Sequence, residues 1–173
     1  PARVFNPTHV NRRRALLDEA TELARDGAVV DVTAFPVAKG EDAWPASMAL
    51  SRYLESGAPA GRITVSSDAG GSLPVFDATG QVAAMDAGQP QALLNALKES
   101  LEAGLPLDRA LPAFTFNPAA HWGLIGKGRL DAGADADLVV LDDDGGAAHV
   151  MARGRWHVRD GKAIVKAPLE SGQ

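Results

Sequence analysis

Two residues stand where the chain could do chemistry. His9 follows a short apolar run, Val4-Phe5, and directly precedes a helical pattern. Asp68 follows the β-branched segment Ile63-Thr64-Val65-Ser66-Ser67 and opens the glycine-rich loop Asp68-Ala69-Gly70-Gly71-Ser72. With no cysteine among 173 residues, disulfides, thiol catalysis, Cys-ligated zinc and iron–sulfur clusters are excluded together. Polar chemistry then falls to histidine, carboxylates, hydroxyls and the basic side chains. An imidazole and a carboxylate are groups that ligate divalent metals or move protons. In parallel α/β folds the sites collect at the C-terminal ends of strands, which is where both residues fall. Each has a plainer alternative: a strand-end Asp commonly caps a turn, and a lone His commonly packs.

The elements that must position them follow from periodicity. Leu16, Leu17, Ala20, Leu23 and Ala24 share one helical face, with Gly27 as a stop. Ala28 to Thr33 is rich in β-branched residues, as expected of a buried strand. Pro45 opens a second helix whose inward face is Ala49, Leu50, Tyr53 and Leu54, and Gly57 ends it. Gln89-Pro90 opens a third, carrying Leu93, Leu94, Leu97 and Leu101. Strands separated by helices of ten to fifteen residues predict an α/β fold with a parallel sheet. Short helices are expected over 105–125, with Asn117 as an N-cap and Pro118 behind it. After Gly126-Lys127-Gly128 four short strands are expected, near 138–141, 149–152, 156–158 and 163–165. Asp160-Gly161 marks a tight hairpin among them. Two domains are expected, 1–125 and 126–173.

With 17 basic and 22 acidic residues the net charge is −5 and the pI about 5.3. Nothing in that balance favours nucleic acid as a partner. No run approaches the ~18 apolar residues of a membrane span. The absence of cysteine is compatible with a cytoplasmic protein.

Two segments resemble a known family. Pro7-Thr8-His9-Val10-Asn11-Arg12 and Ser67-Asp68-Ala69-Gly70-Gly71-Ser72, with Val29 to Thr33 between them, are similar to the isoaspartyl (β-aspartyl) dipeptidases, metal-dependent amidohydrolases. The tail, Gly126-Lys127-Gly128-Arg129-Leu130 and Gly133-Ala134-Asp135-Ala136-Asp137-Leu138, resembles the C-terminal signature of the wider superfamily. The resemblance implies a (β/α)8 TIM barrel with a small β-sandwich. Residues 3–8, 28–34 and 63–67 would be barrel strands 6 to 8, and the antiparallel tail would belong to the sandwich.

The resemblance also implies roles. His9 would ligate one of two Zn²⁺ ions. Asp68 would ligate the other and act as the catalytic proton carrier when metal-bound hydroxide hydrolyses a β-aspartyl dipeptide. Arg12 would clamp a substrate carboxylate and Ser72 would add a hydroxyl hydrogen bond. No His-x-His pair occurs in this sequence, and neither that pair nor the carboxylated lysine that bridges the two zincs in the family is expected within it. The chain is therefore expected to be the C-terminal part of a larger enzyme, inactive alone, whose parent is a homo-oligomer. Rival readings are another binuclear amidohydrolase (dihydroorotase, hydantoinase or N-acyl-amino-acid hydrolase type) and a non-catalytic barrel scaffold. His121, His149 and His157 are expected to be structural, Asp31 carries no assigned role, and Gly70-Gly71 lets a backbone approach substrate.

Overall fold

Residues 2–76, 79 and 81–165 are described by the computed structural model. The first helical pattern forms α1 (Arg14–Arg25), whose buried face is Leu17, Ala20, Thr21 and Ala24. Leu16, expected on that face, is exposed. Thr21 joins the apolar stripe because its hydroxyl donates to the Leu17 carbonyl at 2.7 Å, which removes the cost of burying it. Strand β1 (Val30–Thr33) is buried at every position. It pairs in parallel with β2 (Ile63–Ser66), Val30 opposite Ile63 and Thr33 opposite Ser66. Between them runs α2 (Ala46–Glu55), which buries the expected Ala49, Leu50, Tyr53 and Leu54. This β-α-β unit, with α1 and α3 (Gln91–Glu102), encloses the core around Leu17, Val30, Val32, Leu50, Tyr53 and Ile63.

The strand expected over residues 3–8 does not form as a regular strand. Residues Ala2–Val4 make one turn of 3-10 helix instead. The segment after it still lies along β1 in parallel fashion. Val29 N–H donates to Phe5 O at 3.3 Å, Asp31 N–H to Pro7 O at 2.9 Å, and Val10 N–H to Asp31 O at 3.2 Å. In that register the next ladder bond would come from residue 7, and Pro7 has no N–H to give. The segment is docked as a third, irregular member of the parallel layer.

A hairpin that periodicity did not anticipate follows β2. Strands β3 (Ser72–Phe76) and β4 (Val82–Ala87) pair antiparallel, with Ser72 opposite Ala87. The short helices expected over 105–125 include α4 (Leu107–Ala110) and α5 (Phe116–His121). Asn117 lies inside α5 and is no cap. Its buried carboxamide donates to Ala60 O and Ile63 O, each at 2.8 Å.

The chain divides into two compact units, Pro1–Asn117 and Pro118–Gln173. The junction lies before the glycine cluster at 126–128, because the Asn117 bonds tie the chain to the first unit up to that residue. In the second unit β5 (Leu138–Leu141), β6 (Ala147–Ala152), β7 (Arg155–Arg159) and β8 (Lys162–Ala163) form an antiparallel sheet in that order. Asp160 and Gly161 both adopt positive φ, +48° and +70°, as a two-residue type I′ hairpin requires. Lys127 pairs with Asp135 at 2.8 Å and also with Asp137, which accepts the Arg153 N–H at 2.6 Å. The Lys127 ammonium, helped by that N–H, holds the Asp137 carboxyl below its usual range. Among the described residues no helix is long and apolar enough to cross a membrane.

Candidate metal and substrate site

His9 is carried on the turn between the docked segment and α1, where Arg12 N–H donates to His9 O at 3.0 Å. Its backbone is in the left-handed region, φ +58°. Asp68, two residues past β2, is there too, at φ +49°. Among the described residues the other non-glycines with positive φ, Arg153 and Asp160, sit in hairpin turns. Such a conformation costs on the order of 1–3 kcal/mol and persists where the surroundings impose it. The two strained residues face one another: His9 Nε2 lies 3.9 Å from Asp68 Oδ2, and both side chains are partly exposed.

The surroundings that impose the strain are specific. Asn11 is fully buried and bonds β1 at two points: its Oδ1 accepts the Thr33 N–H and its Nδ2 donates to Thr33 O, both at 2.9 Å. The other Nδ2 hydrogen reaches Trp44 O at 2.8 Å. That clamp puts Thr33 Oγ1 2.8 Å from His9 Nδ1. On the far side, Asp68 rests on two glycines. A Cβ on Gly71 would lie 2.6 Å from Asp68 Oδ1, and one on Gly88 would lie 2.2 Å from the Asp68 carbonyl oxygen. Gly88 closes the base of the hairpin, donating to Gly71 O at 3.0 Å and accepting from Gly70 N–H at 2.9 Å.

Beneath these groups Asp31 binds the parallel layer together. Its carboxylate accepts hydrogen bonds from Thr8 (3.1 Å), Thr64 (2.7 Å) and Ser66 (2.6 Å), one hydroxyl from the docked segment and two from β2. Burial pushes its pKa above the usual carboxylate range, although the three hydroxyls pull the other way.

A cleft of about 350 Å³ opens beside Asp68, and its walls include Arg12, Thr33, Phe35, Leu73 and Asp86. The Arg12 guanidinium lies over the Phe35 ring, 5.0 Å from its centroid. Arg12 and Asp68 are thus brought to one cleft, with His9 beside Asp68. Ser72 is not: it is exposed at the start of β3 and absent from the walls, although its neighbours Gly71 and Leu73 line them. Strand alternation turns Ser72 to the face opposite Leu73.

An imidazole nitrogen and a carboxylate oxygen suit zinc chemically. Their 3.9 Å separation exceeds the ~3.3 Å edge of a tetrahedron with ~2.0 Å zinc–ligand bonds, so the pair does not pinch one ion unaided. Among the described residues no group of three or more metal-ligating side chains assembles. In the second unit, His149 contacts the Trp156 ring and lies 3.9 Å from Asp160, and His121 packs edge-on against Trp122. Among the described residues neither belongs to a group of three metal-ligating side chains.

Residues 6–157 match the amidohydrolase family. The chain belongs to the amidohydrolase family. A β-aspartyl dipeptidase from Fervidobacterium islandicum AW-1, solved with β-Asp-Leu, matches this amidohydrolase with a TM-score of 0.82 and 31% identity. The match covers 97% of this chain and 44% of that one. An N-acetylglucosamine-6-phosphate deacetylase from Pasteurella multocida shares the fold, with a TM-score of 0.57 at 15% identity, over 89% of this chain and 50% of that one. An adenine deaminase from Methanothrix thermoacetophila is 35% identical over 66 residues, 38% of this chain and 12% of its own. The chain spans half or less of each of these relatives.

Thr33, Phe35 and Gly88 enter the site without having been marked in the sequence. Thr33 was visible only as the end of a β-branched run. Gly88, twenty positions past Asp68, carried no local signal of its neighbour.

Proposed function

We propose that this amidohydrolase chain carries part of the active site of a zinc-dependent β-aspartyl dipeptidase, with the docked segment, β1 and β2 as the last three strands of a (β/α)8 barrel. The observation that supports this most is the His9–Asp68 pair, strained and 3.9 Å apart beside the cleft that holds Arg12. His9 and Asp68 each contribute to a binuclear zinc site whose remaining ligands, including a bridging carboxylated lysine, come from outside these residues. Zinc, when bound, supplies Lewis acidity and a water of lowered pKa. Asp68 takes a proton from the attacking water and returns it to the leaving amine, a task for a carboxylate within reach of both. Arg12, steadied on Phe35, binds the carboxylate of the leaving residue through its planar fork. Ser72, exposed between the wall residues Gly71 and Leu73, adds a hydroxyl hydrogen bond to the substrate at the edge of the cleft. The second unit belongs in this reading to the small β-sandwich, and the parent is a cytoplasmic homo-oligomer.

The test uses the zinc-loaded protein expressed from the complete reading frame, offered β-Asp-Leu and α-Asp-Leu. Cleavage of the β-linked dipeptide alone is expected, with Asp68→Asn lowering kcat by about 10²–10⁴-fold. The 173-residue chain by itself should give no turnover above a chelator control. A metal-loaded parent that leaves β-Asp-Leu intact refutes the assignment.

A further inference from the structure

Thr33 touches His9 through the ring nitrogen that faces away from Asp68. Its hydroxyl can accept or donate, so its position matters more than its type. That position is unusually well determined. Thr33 is 1% exposed, and both its backbone groups are engaged by the fully buried Asn11. The Asn11 carboxamide has one orientation available: flipping it would set its NH₂ against the Thr33 N–H and its oxygen against the Thr33 and Trp44 carbonyls. The docking of Val10 N–H on Asp31 O holds the same turn from its other side. His9 is thereby presented with a left-handed backbone and with Nδ1 against a fixed oxygen.

We infer that Thr33 is a positioning residue for His9: its hydroxyl oxygen accepts a hydrogen bond from Nδ1–H and leaves the Nε2 lone pair free to ligate a cation on the side of the ring that faces Asp68. The inference rests on the proposed metal-ligand role of His9. With the proton on Nε2 instead, the ring would point an N–H at Asp68 across 3.9 Å, too far for a hydrogen bond, and could not ligate a cation there. The 2.8 Å contact forms with either tautomer, Thr33 donating in one and accepting in the other; only with the proton on Nδ1 is Nε2 free to ligate. A partner on the second nitrogen both fixes the tautomer and raises the basicity of the ligating one. Asn11 acts through Thr33, as the clamp that keeps the hydroxyl in place.

The experiment compares wild type, Thr33→Val and Thr33→Ser in the full-length protein, titrated with zinc and, in a parallel sample, loaded with cadmium for NMR on isotope-labelled histidine. Thr33→Val should weaken zinc binding by about 10–100-fold and abolish the slowly exchanging imidazole N–H resonance of His9. Thr33→Ser should restore both. Metal–nitrogen coupling should appear at Nε2 in the wild type. Coupling at Nδ1 overturns the inference even if Thr33→Val does not fold, as does a folded Thr33→Val with unchanged affinity and an unchanged N–H resonance. A wild-type parent that binds no zinc overturns the metal reading itself and the inference with it.

Discussion

Replacing Gly88 by alanine should displace Asp68 while leaving every charge in the site intact. A Cβ at Gly88 would lie 2.2 Å from the Asp68 carbonyl oxygen, 2.9 Å from its carbonyl carbon and 3.1 Å from Ser67 O. Real Cβ atoms essentially never come under 3.0 Å, so closing the shortest contact demands a retreat of about 0.8 Å. The atoms in the way are backbone, which has no rotamer to change. They are also tied down, since Asp68 O accepts from Gly71 N–H and Gly88 exchanges bonds with both Gly70 and Gly71. Gly88 does not have positive φ, so the clash is steric alone. Overpacking of this kind costs roughly 1–3 kcal/mol. A misplacement near 1 Å in a catalytic group costs about 10²-fold in rate. The assay is kcat/KM on β-Asp-Leu, with zinc stoichiometry and Tm, in the full-length parent. Gly61→Ala is the control, because a Cβ there meets nothing within 4 Å. If Gly88→Ala matches Gly61→Ala in all three measurements, the close approach of the hairpin base to Asp68 does not position the carboxylate.

Arg12→Lys should keep zinc content but lose about 2–4 kcal/mol in kcat/KM for dipeptides with a free carboxylate. Amidating that carboxylate should erase most of the difference; an equal loss on both substrates would make Arg12 structural. Asp31 binds its proton more tightly folded than unfolded, so the stability it contributes is complete below the unfolded value of 3.8 and is lost as pH rises through the folded value. Denaturant melts of metal-free protein should show wild type losing stability relative to Asp31→Asn as pH is raised, and parallel curves would contradict this. Tyr53, the single tyrosine, is pushed up to about 12 by burial, with its hydroxyl donated to Pro59 O at 2.9 Å. Ultraviolet titration should find it near that value in folded protein and near 10 once unfolded; titration near 10 in the native state would show the ring to be accessible.

Most of the helical architecture was legible because burial repeats with the period of the helix. Ala49, Leu50, Tyr53 and Leu54 are inward in the structure for the reason they are spaced as they are in the chain. Asp160-Gly161 makes its hairpin by local backbone preference alone. The β3–β4 hairpin is not legible in the sequence because Pro74 interrupts it and β4 is exposed at every position, leaving no alternation. Residues 3–8, expected as a strand from the family resemblance, dock along β1 without forming a regular strand, because Pro7 withholds the donor that would complete the ladder.

The site divides along the same line. His9 and Asp68 could be singled out from sequence because residue type and position after an element are local properties; Arg12 was implied only by the family resemblance, carried by two separate short motifs. The absence of cysteine also confined the candidate chemistry to histidine, carboxylates, hydroxyls and the basic side chains. Tertiary structure alone decided that Nε2 of His9 would meet Asp68 across 59 positions of chain, that Thr33 would hold the other ring nitrogen, and that Gly88 would lie against the Asp68 carbonyl. Contacts of this kind depend on distances between remote segments, and those are set by how the parallel layer and the hairpin pack, which no local pattern encodes.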